Sequence, residues 1–442
     1  MSRKSQKIII FLSIAVISGL FCIQNSRNKS KAPQKPNIVM IVVDTLRADH
    51  LPFYGYRKNT ALFLTELSTR SVIFENAYSA SSWTAPASAS FFTSLYPFQH
   101  GVVTGFMATR RLKEKNPEIV LNRIPDEITT IAEVLKNFGY TTYAVTDNLN
   151  ICEEEGFTQG FDNFTIYGDK GAQAVNKEFK KWAEAIKTSH PYFIYIHYND
   201  PHSPYLKRFP WYEESPYRAL NILSAYDSEI SFVDSKIREL FELFEWESHT
   251  LLILTADHGE EFHDHGLTGH GKTLYSEVIH VPLLMYFPEG AFRAKRVIDN
   301  VSTIDILPTV RELIGLPRDH DNEGVSLLRY LRGKETYAMD RYLFSHVWRK
   351  KGESDNEIVK KAAIHSNWKY IYSLPDSEEI YNLKMDPYER MNVLKEESHV
   401  VRLLKKKLFA YIKNCRKYKQ AESHVHLTQT ELEELKSLGY LQ

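Results

Sequence analysis

Four apolar runs, rich in β-branched and aromatic residues, limit what this chain can fold into: Ile38 to Val43, Thr141 to Thr146, Tyr192 to Tyr198 and Leu251 to Leu254. A strand with one wet face alternates polar and apolar residues. Runs without alternation are buried on both faces, as in a parallel sheet covered by helices. Helical patterns lie between the runs, over Thr60 to Arg70, Asp126 to Phe138 and Leu220 to Phe244. Asp126 is the expected cap of the second, with Gly139 as its stop. Strands alternating with helices predict βαβ units. The expected fold class is therefore α/β, with a large, mainly parallel sheet flanked by helices.

After about residue 335 the pattern changes. Trp368 to Tyr372 and Glu379 to Leu383 alternate like antiparallel strands, and a Lys-rich helix and a last helix over Leu432 to Leu438 follow. A smaller C-terminal subdomain of antiparallel sheet plus helix is expected over 336–442, after a main domain over 36–335. Residues 1–35 read differently. Arg3, Lys4 and Lys7 precede an apolar run from Ile8 to Cys22, and a polar linker follows. That pattern predicts a signal peptide or an N-terminal membrane anchor, and hence an extracytoplasmic protein, free or tethered. Lys plus Arg and Asp plus Glu both number 55, so no net field recruits nucleic acid. In an oxidising compartment Cys152 and Cys415 can pair.

In open α/β sheets ligands bind beyond the carboxyl ends of the strands. Asp44 follows the first run directly, and Asp257-His258 follows the fourth after Thr255 and Ala256. The third run ends in Asn199-Asp200-Pro201-His202-Ser203-Pro204, a loop stiffened by two prolines. His197, inside that run, reads as core or as support behind the site. The segment Ala80 to Ser94 contains Thr84 at an expected N-cap and Pro86 in the first turn. A hydroxyl there sees unpaired N–H groups and the positive end of the helix dipole. Singly, each of these is an ordinary strand-end Asp, helix cap or polar loop. Together they supply a cation site and a nucleophile, two of the needs of sulfate or phosphate ester chemistry.

With these residues in order, the chain resembles the sulfatases of the alkaline phosphatase superfamily from about Asn37 to the C-terminus. The marks are Asn37 to Asp44, the Thr84 segment through Tyr96-Pro97 and His100-Gly101, Pro201 to Tyr205, and Asp257 to Glu260. Leu274-Tyr275 through Leu283, Asp305 to Thr309, and Tyr381-Asn382-Leu383 through Glu389 continue the series. The resemblance implies that Asp44, Asp257 and His258 bind one divalent metal ion with Thr84 facing it. The ion would be calcium or magnesium if the site follows the sulfatases, or zinc or manganese if it follows phosphodiesterases that use Thr. His202 matches the histidine that contacts the substrate anion or leaving group. The family's substrate-binding Lys is matched loosely, by Lys272 or His270.

The departures are chemical. Thr45 stands where the family has a second Asp, Thr84 where it has the formylglycine precursor, and Ser88 where it has an Arg. Formylglycine does not form from Thr, whereas related phosphoryl hydrolases and transferases use an unmodified Thr. The resemblance therefore implies a sulfatase-family, metal-dependent hydrolase of sulfate or phosphate esters, acting on a small-molecule, glycan or lipid ester. A cell-envelope phosphoglycerol- or phosphoethanolamine-type transferase and a catalytically degenerate binding protein are the alternatives.

Overall fold

The computed structural model describes residues 35–107, 121–287, 292–333, 340–350, 357–396, 398–419 and 421–423. The leader over Ile8 to Cys22 and the last expected helix lie outside these residues. The strands of the main sheet are β1 (Asn37–Val43), β2 (Ser71–Tyr78), β3 (Thr141–Thr146), β4 (Asn163–Ile166), β5 (Tyr192–Tyr198), β6 (Thr250–Thr255), β7 (His280–Tyr286) and β8 (Lys295–Ser302). Their order across the sheet is β8-β2-β7-β6-β1-β5-β3-β4. All pairings are parallel except those of β7, which runs antiparallel to both neighbours. The four apolar runs are thus adjacent strands, and every residue of β1, β5 and β6 is buried. Because β6, β1, β5 and β3 are parallel neighbours, their carboxyl ends open on one edge, which is where the site forms.

Helices cover both faces. Those that matter here are α1 (Leu62–Ser68), α2 (Thr84–Thr93), α3 (Ile131–Asn137), α4 (Ala172–Lys181), α5 (Arg218–Leu243) and α6 (Ile306–Leu313). Every residue of α2 is buried. Phe92 meets Tyr195 of β5 edge-on at 4.9 Å and Phe157 at 5.4 Å. A buried Phe contributes roughly 1.5–3 kcal/mol, so these rings fix the helix firmly against the sheet. Two caps differ from expectation. Thr130, not Asp126, caps α3 through a capping box with Glu133, because Pro125 and the residues after it turn before the helix starts. Trp83, not Thr84, is the N-cap of α2; Thr84 is its first helical residue and makes no capping hydrogen bond. Pro97–His100 forms one helical turn. Cys152 and Cys415 are both free, so the pairing open to them in sequence is not made.

The C-terminal sheet is separate and antiparallel, with β9 (Leu343–Lys350), β10 (Glu357–His365), β11 (Trp368–Ser373) and β12 (Ser377–Asn382) in sequential order. The helix α7 (Ser398–Asn414) packs on it. Leu343, Val347, Ala362 and Ile371 form one apolar cluster with Leu274, Val278 and Ile279 of the main domain. The join is also polar: the buried pair Lys369–Glu389, 2.6 Å apart, meets Ser276 of the main domain. Lys369 donates to the Ser276 Oγ at 3.2 Å, and the Ser276 backbone N–H donates to Glu389 at 2.6 Å. No helix among the described residues is long and apolar enough to cross a membrane.

His265 bridges the same seam. Burial works against a charge on its ring, but the Glu277 carboxylate, 2.6 Å from Nδ1, outweighs it and pushes the pKa up to about 9. The Glu389 carbonyl, 3.1 Å from Nε2, takes the second N–H. The folded pKa lies above the unfolded value of about 6.5, so this stabilisation is complete below that value and lost as pH rises through about 9. Urea unfolding of wild type and His265→Gln should show the largest difference near pH 6 and convergence near pH 10. A difference that stays constant across that range would contradict the assignment.

Candidate active site

Asp44 leaves β1 where its backbone N–H still bonds Tyr198 of β5, at 2.9 Å. Thr45 then turns the chain with φ 57°, a left-handed conformation rare for a Thr. Its carbonyl is held by the Tyr226 hydroxyl at 2.7 Å. Asp257 and His258 leave the neighbouring strand β6, and both are fully buried. His258 Nε2 lies 3.5 Å from Asp44 Oδ1 and 3.5 Å from Asp257 Oδ2. His258 Nδ1 is 2.9 Å from the Gly259 carbonyl, so its hydrogen is on Nδ1 and the Nε2 lone pair faces the carboxylates. Asp44 Oδ1 and Asp257 Oδ2 are buried with no hydrogen-bond partner.

The electrostatics agree with that geometry. Burial opposes ionisation of Asp44, but the hydrogen bond from His197 and the neighbouring imidazoles hold its carboxyl well below the usual range. Burial and the Asp44 charge push Asp257 well above it. Burial and His270 push His258 down to about 3, so the ring is neutral. Asp44, Asp257 and His258 thus converge within 4.8 Å of one another, and the pressure on Asp257 to keep its proton is the repulsion that a bound cation would relieve. Two carboxylates and an imidazole are the donor set of a divalent cation.

Thr84 completes this wall from α2. Its Oγ1 is 3.4 Å from Asp44 Oδ2 and 3.4 Å from His258 Nε2. Ser88, one turn later, is fully buried. His270 stacks beside His258 with ring centroids 4.4 Å apart, and His202 follows at 5.0 Å from His270. His202 Nδ1 is 2.7 Å from the Ser203 carbonyl, which leaves Nε2 for a ligand. The structure therefore brings together Asp44, Thr84, Asp257, His258, His270 and His202. The Lys272 ammonium donates to the Thr268 carbonyl at 2.6 Å.

Residues 36–316 match the family described as Sulfatase. The chain belongs to the sulfatase family. It is an ester hydrolase of the sulfatase type, and residues 264–415 also match N-sulphoglucosamine sulphohydrolase, C-terminal. Among sulfatase relatives, the Delta 4,5-hexuronate-2-O-sulfatase of Bacteroides thetaiotaomicron is 23% identical, over 84% of this chain and 87% of that protein. A solved 2-O GAG sulfatase superposes with a TM-score of 0.71 at 20% identity, covering 88% of this chain and 95% of that one. The phosphonate monoester hydrolase of Agrobacterium radiobacter has the same fold, with a TM-score of 0.67 at 17% identity over 90% and 99% of the two chains.

Sulfatase-family motifs did not point to every residue at this site. Asn148, Asn199 and Asp169 carried no motif; only their position after the strands β3, β5 and β4 could have marked them. Glu260 sits within a recognised motif but had no role. It is fully buried with Oε1 3.3 Å from His270 Nδ1, and although burial works against its charge, His270 holds its carboxyl below the ordinary range. Glu260 thereby orients the His270 ring.

Gly259 is required by close approach. A Cβ there would lie 2.0 Å from the backbone carbonyl oxygen of Glu277, in the helical turn Ser276–Ile279 that leads into β7. Gly259→Ala should lower unfolding stability by at least about 2 kcal/mol, the overpacking scale, as read by urea denaturation. An unchanged midpoint would show that this backbone gives freely.

Proposed function

We propose that Thr84 is the nucleophile of a metal-dependent ester hydrolase and that a phosphorus ester, rather than a sulfate ester, is its better substrate. The observation that carries this is the Thr84 hydroxyl, 3.4 Å from both Asp44 Oδ2 and His258 Nε2, at the wall of the converging donors. Asp44, Asp257 and His258 would hold one divalent ion, calcium, magnesium, zinc or manganese. When bound, it would neutralise ester oxygens and make the Thr84 hydroxyl more acidic.

The residues of the chain divide the remaining work. Thr84 Oγ forms a bond to phosphorus while the bond to the leaving alcohol oxygen breaks, and the hydroxyl proton leaves to solvent. As the imidazolium, with Nδ1–H on the Ser203 carbonyl, His202 donates its Nε2 proton to the departing oxygen and regains one from solvent after turnover. Water then attacks phosphorus, the bond to Thr84 Oγ breaks, and the hydroxyl is restored with release of a phosphate monoester from a diester or of the phosphonate from a phosphonate ester. His270, steadied by Glu260, faces the same space and suits an anionic oxygen.

Phosphorus is preferred because of how each covalent intermediate can end. The aldehyde-derived nucleophile of sulfatases carries two hydroxyls on one carbon, so one can expel sulfate as the other becomes a carbonyl. Thr84 carries one hydroxyl. A sulfated Thr has no such exit, whereas a phosphothreonine stays open to attack at phosphorus. The shared fold with a phosphonate monoester hydrolase is consistent with this. The bacterial relatives, named as sulfatases of glycans, favour an ester met outside the cytoplasm.

Thr84→Ala should retain its fold and its metal content by elemental analysis yet lose turnover of aryl phosphodiesters and phosphonate monoesters by at least about a hundredfold. Thr84→Ser should keep part of the rate. Asp257→Ala should lose both metal and turnover. Undiminished turnover in Thr84→Ala would overturn the nucleophile. Faster hydrolysis of aryl sulfates than of every phosphorus ester would overturn the substrate preference. A folded, metal-loaded protein inert toward all these esters would favour a transferase or binding role.

A further inference from the structure

A side-chain donor stands beside Thr84 that the steps above leave unused. Asn148 follows β3 and is 7% exposed. Its Nδ2 is 2.7 Å from Asp44 Oδ2, 3.1 Å from Asn199 Oδ1 and 3.4 Å from Thr84 Oγ1. Two N–H bonds therefore serve three acceptors, and the one nearest Thr84 is shared. The orientation of this amide is set from behind, because Asn148 Oδ1 accepts the Asn150 backbone N–H at 2.9 Å. Flipping it would lose that bond and turn a carbonyl toward the Asp44 carboxylate. Asn199 is fixed in the same way, by donating to Asp169 Oδ1 at 2.6 Å.

We propose that Asn148 is a further catalytic residue, whose amide N–H stabilises the negative charge that builds on the Thr84 oxygen and the ester oxygens next to it, with Asn199 as its positioning residue. This rests on the reading of Thr84 as nucleophile. The chemistry suits a neutral donor. A Lys or Arg here would be drawn into an ion pair with Asp44, whereas an amide bonds the carboxylate with one hydrogen and keeps the other for the reacting oxygen. A donor already aimed needs no reorganisation when charge develops. The adjacency follows from topology, because Asp44, Asn199 and Asn148 end three neighbouring parallel strands.

The test uses the full chain loaded with divalent metal, with kcat and KM for a phosphorus ester whose turnover depends on Thr84. Orthovanadate affinity, read from tryptophan fluorescence with Trp83 next to Thr84, and metal content accompany the kinetics. Asn148→Ala should lower kcat by about a hundredfold, weaken vanadate by at least about tenfold and leave KM and metal content nearly unchanged, the scale of one lost oxyanion donor. Asn148→Asp, of the same shape, should fall further, because it sets a carboxylate against Asp44 and Thr84. Asn199→Ala should show a smaller loss of the same kind.

If Asn148→Asp outperforms Asn148→Ala, the residue only fills space and the inference fails. Loss of metal in step with activity would make Asn148 a support for Asp44 alone and would also overturn it. The two readings fail separately. Turnover surviving in Thr84→Ala removes the nucleophile, whereas an inactive Thr84→Ala beside an Asn148→Ala with wild-type kcat and vanadate affinity removes only this inference. Should no ester be turned over, unchanged vanadate affinity in Asn148→Ala is sufficient to reject it.

Discussion

Two carboxylates and a neutral imidazole meet at the edge of the main sheet with their lone pairs facing one another. Asp44 Oδ1 and Asp257 Oδ2 are buried and unpartnered, and His258 Nε2 is 3.5 Å from each. Two like charges about 4 Å apart would repel by about 4 kcal/mol at an effective dielectric near 20, and burial removes the water that would offset it, so Asp257 is pushed toward its protonated form. Such an arrangement is unfavourable for folding alone. The protein maintains it because the surrounding fold over-determines it, and it is the feature from which the rest of the site takes its purpose.

That over-determination can be followed residue by residue. Parallel pairing of β1 with β6 sets Asp44 beside Asp257, and no side-chain contact is needed to do so. Thr45 holds a left-handed backbone that aims the strand end, at a cost of order 1–3 kcal/mol met by the Tyr226 hydroxyl and the packed core. Gly259 lets the His258 turn lie against the Glu277 carbonyl. The fully buried α2 brings Thr84 to the same point from the opposite side, held by Phe91 and Phe92 rather than by a capping side chain. Rigid elements carry the reacting groups, while the loop with His202 and the hairpin near His270 complete the space above them.

Much of this was legible in the sequence. The unalternating runs revealed a buried, mostly parallel sheet, and the carboxyl-end rule turned Asp44 and Asp257-His258 from ordinary polar residues into a site. The C-terminal antiparallel strands were equally clear from their alternation. What escaped was set by three-dimensional adjacency. Asn148 and Asn199 look like loop residues until the order β6-β1-β5-β3 brings their strand ends beside Asp44. Lys272, matched only loosely to the family's substrate-binding Lys, donates from its ammonium to the Thr268 carbonyl of the hairpin over Glu261–Gly269. The two caps moved in opposite directions: α2 starts at Thr84 itself, whereas α3 waits until the turn after Pro125 is complete.

The central claim is that Thr84 itself becomes covalently bonded to the substrate's phosphorus. Rapid acid quench of the metal-loaded enzyme with an activated phosphorus ester, followed by peptide mass spectrometry, tests it directly. The account predicts a phosphoryl or phosphonyl group on the peptide bearing Thr84, formed within the first turnover and absent from Thr84→Ala. Turnover that proceeds with Thr84 unmodified at every quench time, while another residue carries the group, would contradict it.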